Sequence, residues 1–195
     1  LKLMQLHQAH LNIQRNSCYI MMAYFDYCYS TKNSVNKGQK SNNGTIDVLS
    51  VIKQLIKAMK NHTGNKDIQS CACKTLMDIS LNFGVKQDRI ASLGGLQCTM
   101  AAMNNHKEDG NVQKYACRIL SWMCYNDKST FQVAKLGGMK CVVAAMRKHI
   151  NHVAVQENAC KALKYLCQSD KDAYLHHHLG GIEYIIAAMK NHSNN

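Results

Sequence analysis

Ten cysteines and ten histidines in 195 residues are the side chains with most chemistry to offer, as metal ligands, nucleophiles or acid–base groups. Their spacing argues for other roles. Cys18, Cys73, Cys117 and Cys160 each follow Ala or Ser and precede Leu or Met by three residues. Cys98 and Cys141 share a second position, and Cys124 and Cys167 a third. A free thiol behaves as a small apolar side chain, so recurrence at core positions is what packing alone predicts. Cys71-x-Cys73 is not a zinc spacing, and no Cys-x-x-Cys pair occurs. His7, His62, His106, His149 and His192 each stand three residues after a Met. A donor there can satisfy last-turn carbonyls and meets the negative end of a helix dipole. His176-His177-His178 could touch a transition metal, but adjacent helical residues point to different faces and cannot form one site. The sequence contains no glycine-rich phosphate loop, Ser-His-Asp arrangement or paired-carboxylate signature. The acids, such as Asp67, Glu108, Asp109 and Asp170, are expected mostly at helix starts and in loops. No catalytic residue, metal or cofactor is expected, and the chain reads as non-enzymatic.

The elements that carry these residues repeat. Gly94–Leu120 reads GGLQCTMAAMNNHKEDGNVQKYACRIL, and Gly137–Leu163 reads GGMKCVVAAMRKHINHVAVQENACKAL. GGIEYIIAAMKNH follows from Gly180, so the glycine pair recurs every 43 residues. Further copies are traced by Met4 and Met59, and by Gln14 and Gln69, which match Gln113 and Gln156. A fixed period of this size marks a helical solenoid. Stacked repeats present an extended surface, not a pocket with placed catalytic groups.

Composition agrees. With 46% hydrophobic and 18% charged residues, the chain suits a folded domain with a core. No apolar run approaches the roughly eighteen residues of a membrane span. No signal-peptide pattern opens the sequence, where His7, Gln8 and His10 interrupt the apolar residues. Lys and Arg outnumber Asp and Glu by 24 to 12, a formal charge of +12 that favours acidic partners. Buried thiols without a disulfide framework point to a reducing compartment, the cytoplasm or nucleus. The sequence starts inside a repeat and is expected to be part of a longer array, whose uncapped ends would self-associate.

The periodicity predicts a partial repeat over 1–28, a polar loop insertion over 29–45 and repeats over 46–82, 83–125 and 126–168. A partial repeat over 169–195 ends the chain. Thr45 is the expected N-cap of a helix over 46–60. In the regular units a helix opens at the Gln, and a short turn ends in Leu93, Leu136 or Leu179. The glycine pair then breaks direction before the Ala-Met helix, because glycine accepts positive φ and close approach.

A short turn, Gly-Gly-Leu/Met/Ile, a second helix and then Val-Gln-x-x-Ala-Cys-x-x-Leu resemble the armadillo repeat. The wording is closer to the armadillo units of leucine-rich repeat kinases and of protist armadillo proteins, and it spans the chain apart from 30–45. The resemblance implies an all-α, right-handed superhelical solenoid of about four repeats, with three helices per full repeat. It implies a concave groove lined by third helices, here 12–27, 67–81, 111–125 and 152–167, that grips an extended peptide. The Trp positions of the nuclear-import receptors fall on Tyr19, Lys74, Arg118 and Lys161. Their Asn positions fall on Ala23, Asp78, Trp122 and Tyr165, so the asparagine ladder that clamps a basic peptide is missing. The expected groove surface is Arg15, Tyr19, Lys74, Lys114, Arg118, Trp122, Lys161 and Tyr165, with Trp122, the sole Trp, as anchor. Interleaved cations and aromatics suit an acidic or aromatic-acidic peptide. They also suit single-stranded RNA, through phosphate contacts and base stacking. A scaffold or adaptor is the first reading, nucleic-acid binding the second, and a spacer without a groove ligand the third.

Overall fold

Apolar residues spaced by three and four set the helices. In α3 (Val48–Asn61), Val51, Ile52, Leu55, Ile56 and Met59 are buried on one side while Lys53, Lys57 and Lys60 remain exposed. The computed structural model describes residues 1–34, 47–83, 85–125, 127–167, 185–187 and 189–190. Before α3 come α1 (Lys2–Leu6) and α2 (Leu11–Ser34), and after it α4 (Lys66–Phe83). Then follow α5 (Gln87–Ser92), α6 (Gly95–Asn105) and α7 (Gly110–Met123). The same order returns as α8 (Asp127–Lys135), α9 (Gly138–Lys148) and α10 (Val153–Leu166). No strand occurs among the described residues.

The helices sort into three rows. α2, α4, α7 and α10 pack each on the next, α3, α6 and α9 form a second row, and α5 packs on α8. One apolar core runs unbroken between the rows from Met4 to Leu166. At its N-terminal end Phe25 of α2 meets Phe83 of α4 edge to face, with ring centroids 5.4 Å apart. The molecule is an all-α solenoid.

Glycine makes the corner into each second helix. Gly94 and Gly137 hold φ of 88° and 83°, the left-handed region where a side chain is strained. The following Gly95 and Gly138 are buried for a different reason. A Cβ on Gly95 would strike the Ile90 side chain and stand 3.0 Å from its carbonyl oxygen. On Gly138 it would strike the Val133 side chain, with the carbonyl oxygen at 2.9 Å. The first glycine turns the chain and the second lets the short helix sit against the long one.

At the other end of the second helices a polar link recurs. Gln69 Nε2 donates to the carbonyls of Met59 and His62, and Gln113 Nε2 to those of Met103 and His106. Gln14 does the same at Met4 and His7, and Gln156 at Met146 and His149, all at 2.8–3.0 Å. These carbonyls lie in or just past a last helical turn, where a helix leaves acceptors unpaired. The histidine rings were expected to cap those same carbonyls. Instead they reach back one unit. His62 Nε2 lies 2.9 Å from Gln8 O, His106 Nε2 2.8 Å from Thr63 O and His149 Nε2 2.8 Å from Lys107 O. A carbonyl only accepts, so each ring nitrogen carries the proton.

Two boundaries differ from the expected ones. α2 continues through residues 29–34, where the polar loop was expected to begin, because no glycine precedes Gly38 and the chain has no proline. The N-cap of α3 is Asp47, whose Oδ1 accepts from Leu49 N at 3.1 Å and Ser50 N at 3.3 Å. Thr45, the rest of 35–46, the third glycine pair, His176–His178 and His192 lie outside the described residues.

Gly138→Ala should cost about 1–3 kcal/mol, because the backbone of Val133 cannot move aside as a side chain would. Gly64→Ala, where a Cβ meets nothing within 4 Å and φ is not positive, should gain up to about 1 kcal/mol. Urea melts of the two variants check this; equal effects would contradict the close-approach role.

Candidate functional site

The α2–α4–α7–α10 row carries every residue expected in the groove, and the structure divides them into two groups. On α2, Arg15 is half-buried and Tyr19 is 41% exposed. On α4, Lys74 is not a free cation. Its ammonium is bonded to Asp26 of α2 and stands 3.2 Å from Asp78 Oδ2, leaving its side chain 17% exposed. Asp78 occupies the position one turn further along α4 and is buried. Burial pushes its pKa up, against the opposing pull of Lys74 and Arg118. Burial would likewise lower the pKa of Lys74, but the Asp26 and Asp78 partners outweigh it and raise it. An acid–base–acid cluster therefore closes the face at α2 and α4, where a basic groove was expected. Two acids, Asp26 and Asp78, lie on this face and not at helix starts or in loops.

The face opens along α7 and α10. Lys114 is half-buried, bonded to Asn111 at 3.1 Å and set 4.2 Å from the centre of the Tyr115 ring. Arg118 is half-buried beside it. Trp122, expected as the anchor, is half-buried and packed on the core, so only part of the indole is available. Lys161 is exposed and paired with Glu157 at 2.5 Å, four residues back on α10. Tyr165 lies edge-on to Tyr125 with centroids 5.7 Å apart, and Lys164 Nζ sits 5.4 Å from its centre. Tyr125, 71% exposed just past α7, and Lys164 were not among the expected residues. Only adjacency in sequence could have found them: Tyr125 follows Trp122 by three residues, and Lys164 precedes Tyr165.

Most of the cysteines take the core places that their repeat spacing implied, but Cys160 and Cys167, in the last described unit, are half-buried. Cys18, Cys73 and Cys117 are fully buried, and burial pushes Cys18 and Cys73 up to about 12 and Cys117 higher still. A thiol held so far above neutrality stays protonated and is a poor nucleophile. Among the described residues no cluster of His, Cys, Asp and Glu could hold a metal ion.

With the solenoid and its repeated corner in hand, one comparison decides the family. The model described as the LRRK2 ARM repeat matches residues 1–195. The chain belongs to the LRRK2 ARM repeat family. No curated protein and no solved structure matches it. An ARM repeat array is a protein-interaction module, on a scaffold that is not in general catalytic. Among the described residues of this ARM chain, no helix is long and apolar enough to cross a membrane.

Lys74→Met should destabilise the fold by about 3 kcal/mol at pH 7, because it leaves the buried Asp78 carboxylate without its nearest cation. The pKa of Asp78 is raised in the fold, so protonation favours the folded state, and the deficit should shrink as pH falls through that value. Urea melts at pH 7 and pH 4.5 read it directly. Equal deficits at both pH values would contradict the ion-pair role.

Proposed function

We propose that this ARM array is a non-enzymatic scaffold whose α7–α10 face binds an extended acidic segment carrying an aromatic side chain. The observation that supports this is the adjacency on neighbouring helices of Lys114, Arg118 and Lys161 with Trp122, Tyr125 and Tyr165. The guanidinium of Arg118 can take a carboxylate through two parallel hydrogen bonds. The Tyr125–Tyr165 pair offers a ring edge and face to an aromatic side chain, with Lys164 adding cation character. Arg15 and Tyr19 would extend the track only past the Asp26–Lys74–Asp78 cluster, which repels carboxylates. The working segment is therefore short, about the width of two units. The chain's charge of +12 speeds encounter with an acidic partner without deciding which one binds.

Trp122 is the sole tryptophan and reports on this face. Fluorescence titration with a tryptophan-free peptide of alternating Glu and Phe should show saturable binding. Arg118→Ala should weaken it about tenfold or more, and Arg15→Ala should barely change it. Silence toward the peptide, or a response only to RNA of any sequence with a steep salt slope, would contradict the proposal and in the second case favour nucleic acid.

A further inference from the structure

The two junctions along the α3–α6–α9 row differ at one repeat position. Lys60, near the end of α3, lays the end of its exposed side chain against the corner of the next unit. Its Nζ lies 3.3 Å from where a Cβ on Gly94 would stand, and its charge reaches the Cys98 thiol. The counterpart of Lys60 in the next unit is Asn104 of α6, a much shorter side chain. Asn104 Oδ1 takes the Cys141 thiol at 3.7 Å, and a Cβ on Gly137 would meet nothing within 4 Å. The lysine end that covers the corner glycine in one junction has no counterpart in the other. Asn104 and Cys141 also line a cavity of about 440 Å³ between α6, the turn after it and α9, with Gln113 of α7 in its wall.

The wall and the rim of this cavity differ in chemistry. Met103, Ala144 and Ala145 line it with apolar surface, and Cys141 adds a thiol that burial keeps protonated. Lys107, Arg147 and Lys148 stand at its edge with one acid, Glu108. Glu108 Oε1 is 2.7 Å from Lys148 Nζ, which leaves the charges of Lys107 and Arg147 unbalanced by the cavity's own acid. The volume falls within the roughly 300–1,000 Å³ of small-molecule sites, which combine apolar walls with a few placed polar groups. We propose that this cavity binds a small amphiphilic anion: one carboxylate, phosphate or sulfonate group on a compact apolar body. The apolar body rests on Met103 and Ala144, and the acidic group meets Lys107 and Arg147. α6 and α9 lie outside the α7–α10 face proposed for peptide, so the two readings stand or fall separately.

The probe is 8-anilinonaphthalene-1-sulfonate, an aromatic body with one sulfonate, titrated into the whole chain by fluorescence. One saturable site is expected. Asn104→Lys puts the longer side chain of the earlier unit at a lining position, and Ala144→Phe fills the cavity from an exposed position that tolerates bulk. Each should weaken the dye at least tenfold, Arg147→Glu should weaken it similarly, and Arg118→Ala should leave it unchanged. Circular dichroism and thermal melts establish that each variant is folded, and either cavity-filling variant alone suffices for the test. No saturable site, or dye binding by both filled variants as by the parent chain, would overturn the proposal, because the dye would then sit on apolar surface elsewhere.

Discussion

The structure depends on one side chain repeated four times: a buried glutamine whose Nε2 donates to two carbonyls at the end of the preceding helix. The chemistry of the position is demanding. Asparagine is too short to reach both acceptors, and glutamate or leucine has nothing to donate. With both donors used, the second helix can end beneath the third without leaving bare acceptors in the core. The His that follows the Met then ties unit to unit, its ring on the carbonyl of the residue after the previous His. The Gln closes each unit and the His registers it on its neighbour. The four corner histidines hold φ between −113° and −126° and ψ between 45° and 50°, so the corner is the same object each time.

That registry lets single substitutions between units act as local design choices. Successive units share a backbone, so a change at one position alters one junction and leaves the others standing. Lys74 with Asp78 closes the inner face where Arg118 with Trp122 leaves it more open. Lys60 covers the corner glycine of the next unit, whereas Asn104 takes the Cys141 thiol and leaves that corner bare. Both contrasts are between residues at equivalent positions, and both change what the surface can hold without changing the helices beneath it.

Much of this was legible from residue order alone. The glycine pairs, the Ala-Met ends and the Val-Gln starts marked the helices, and the recurrence of Cys18, Cys73 and Cys117 marked the core they enter. Partner choice was harder to read. The recurring Gln was visible only as a helix start, and the recurring His was assigned the carbonyls that the Gln takes. Deciding between them needs the offset between stacked units, a property of the packing that no single repeat contains. The closure of the face at α2 and α4 was hidden for a related reason. Lys74 and Asp78 show the four-residue spacing of a helical ion pair, but Asp26, which completes the cluster, comes from a different helix. The extension of α2 past Tyr27 was hidden because Ser30, Thr31, Asn33 and Ser34 are residues that favour caps and turns.

The most direct test of this account is the stability of Gln113→Leu, measured by urea unfolding. Leucine keeps the apolar bulk and the burial of the position but donates nothing. Leaving the Met103 and His106 carbonyls without Gln113 should cost about 2–4 kcal/mol, with an unchanged dependence on urea. A loss under about 0.5 kcal/mol would contradict the account, because the helix ends would then be satisfied without the glutamine.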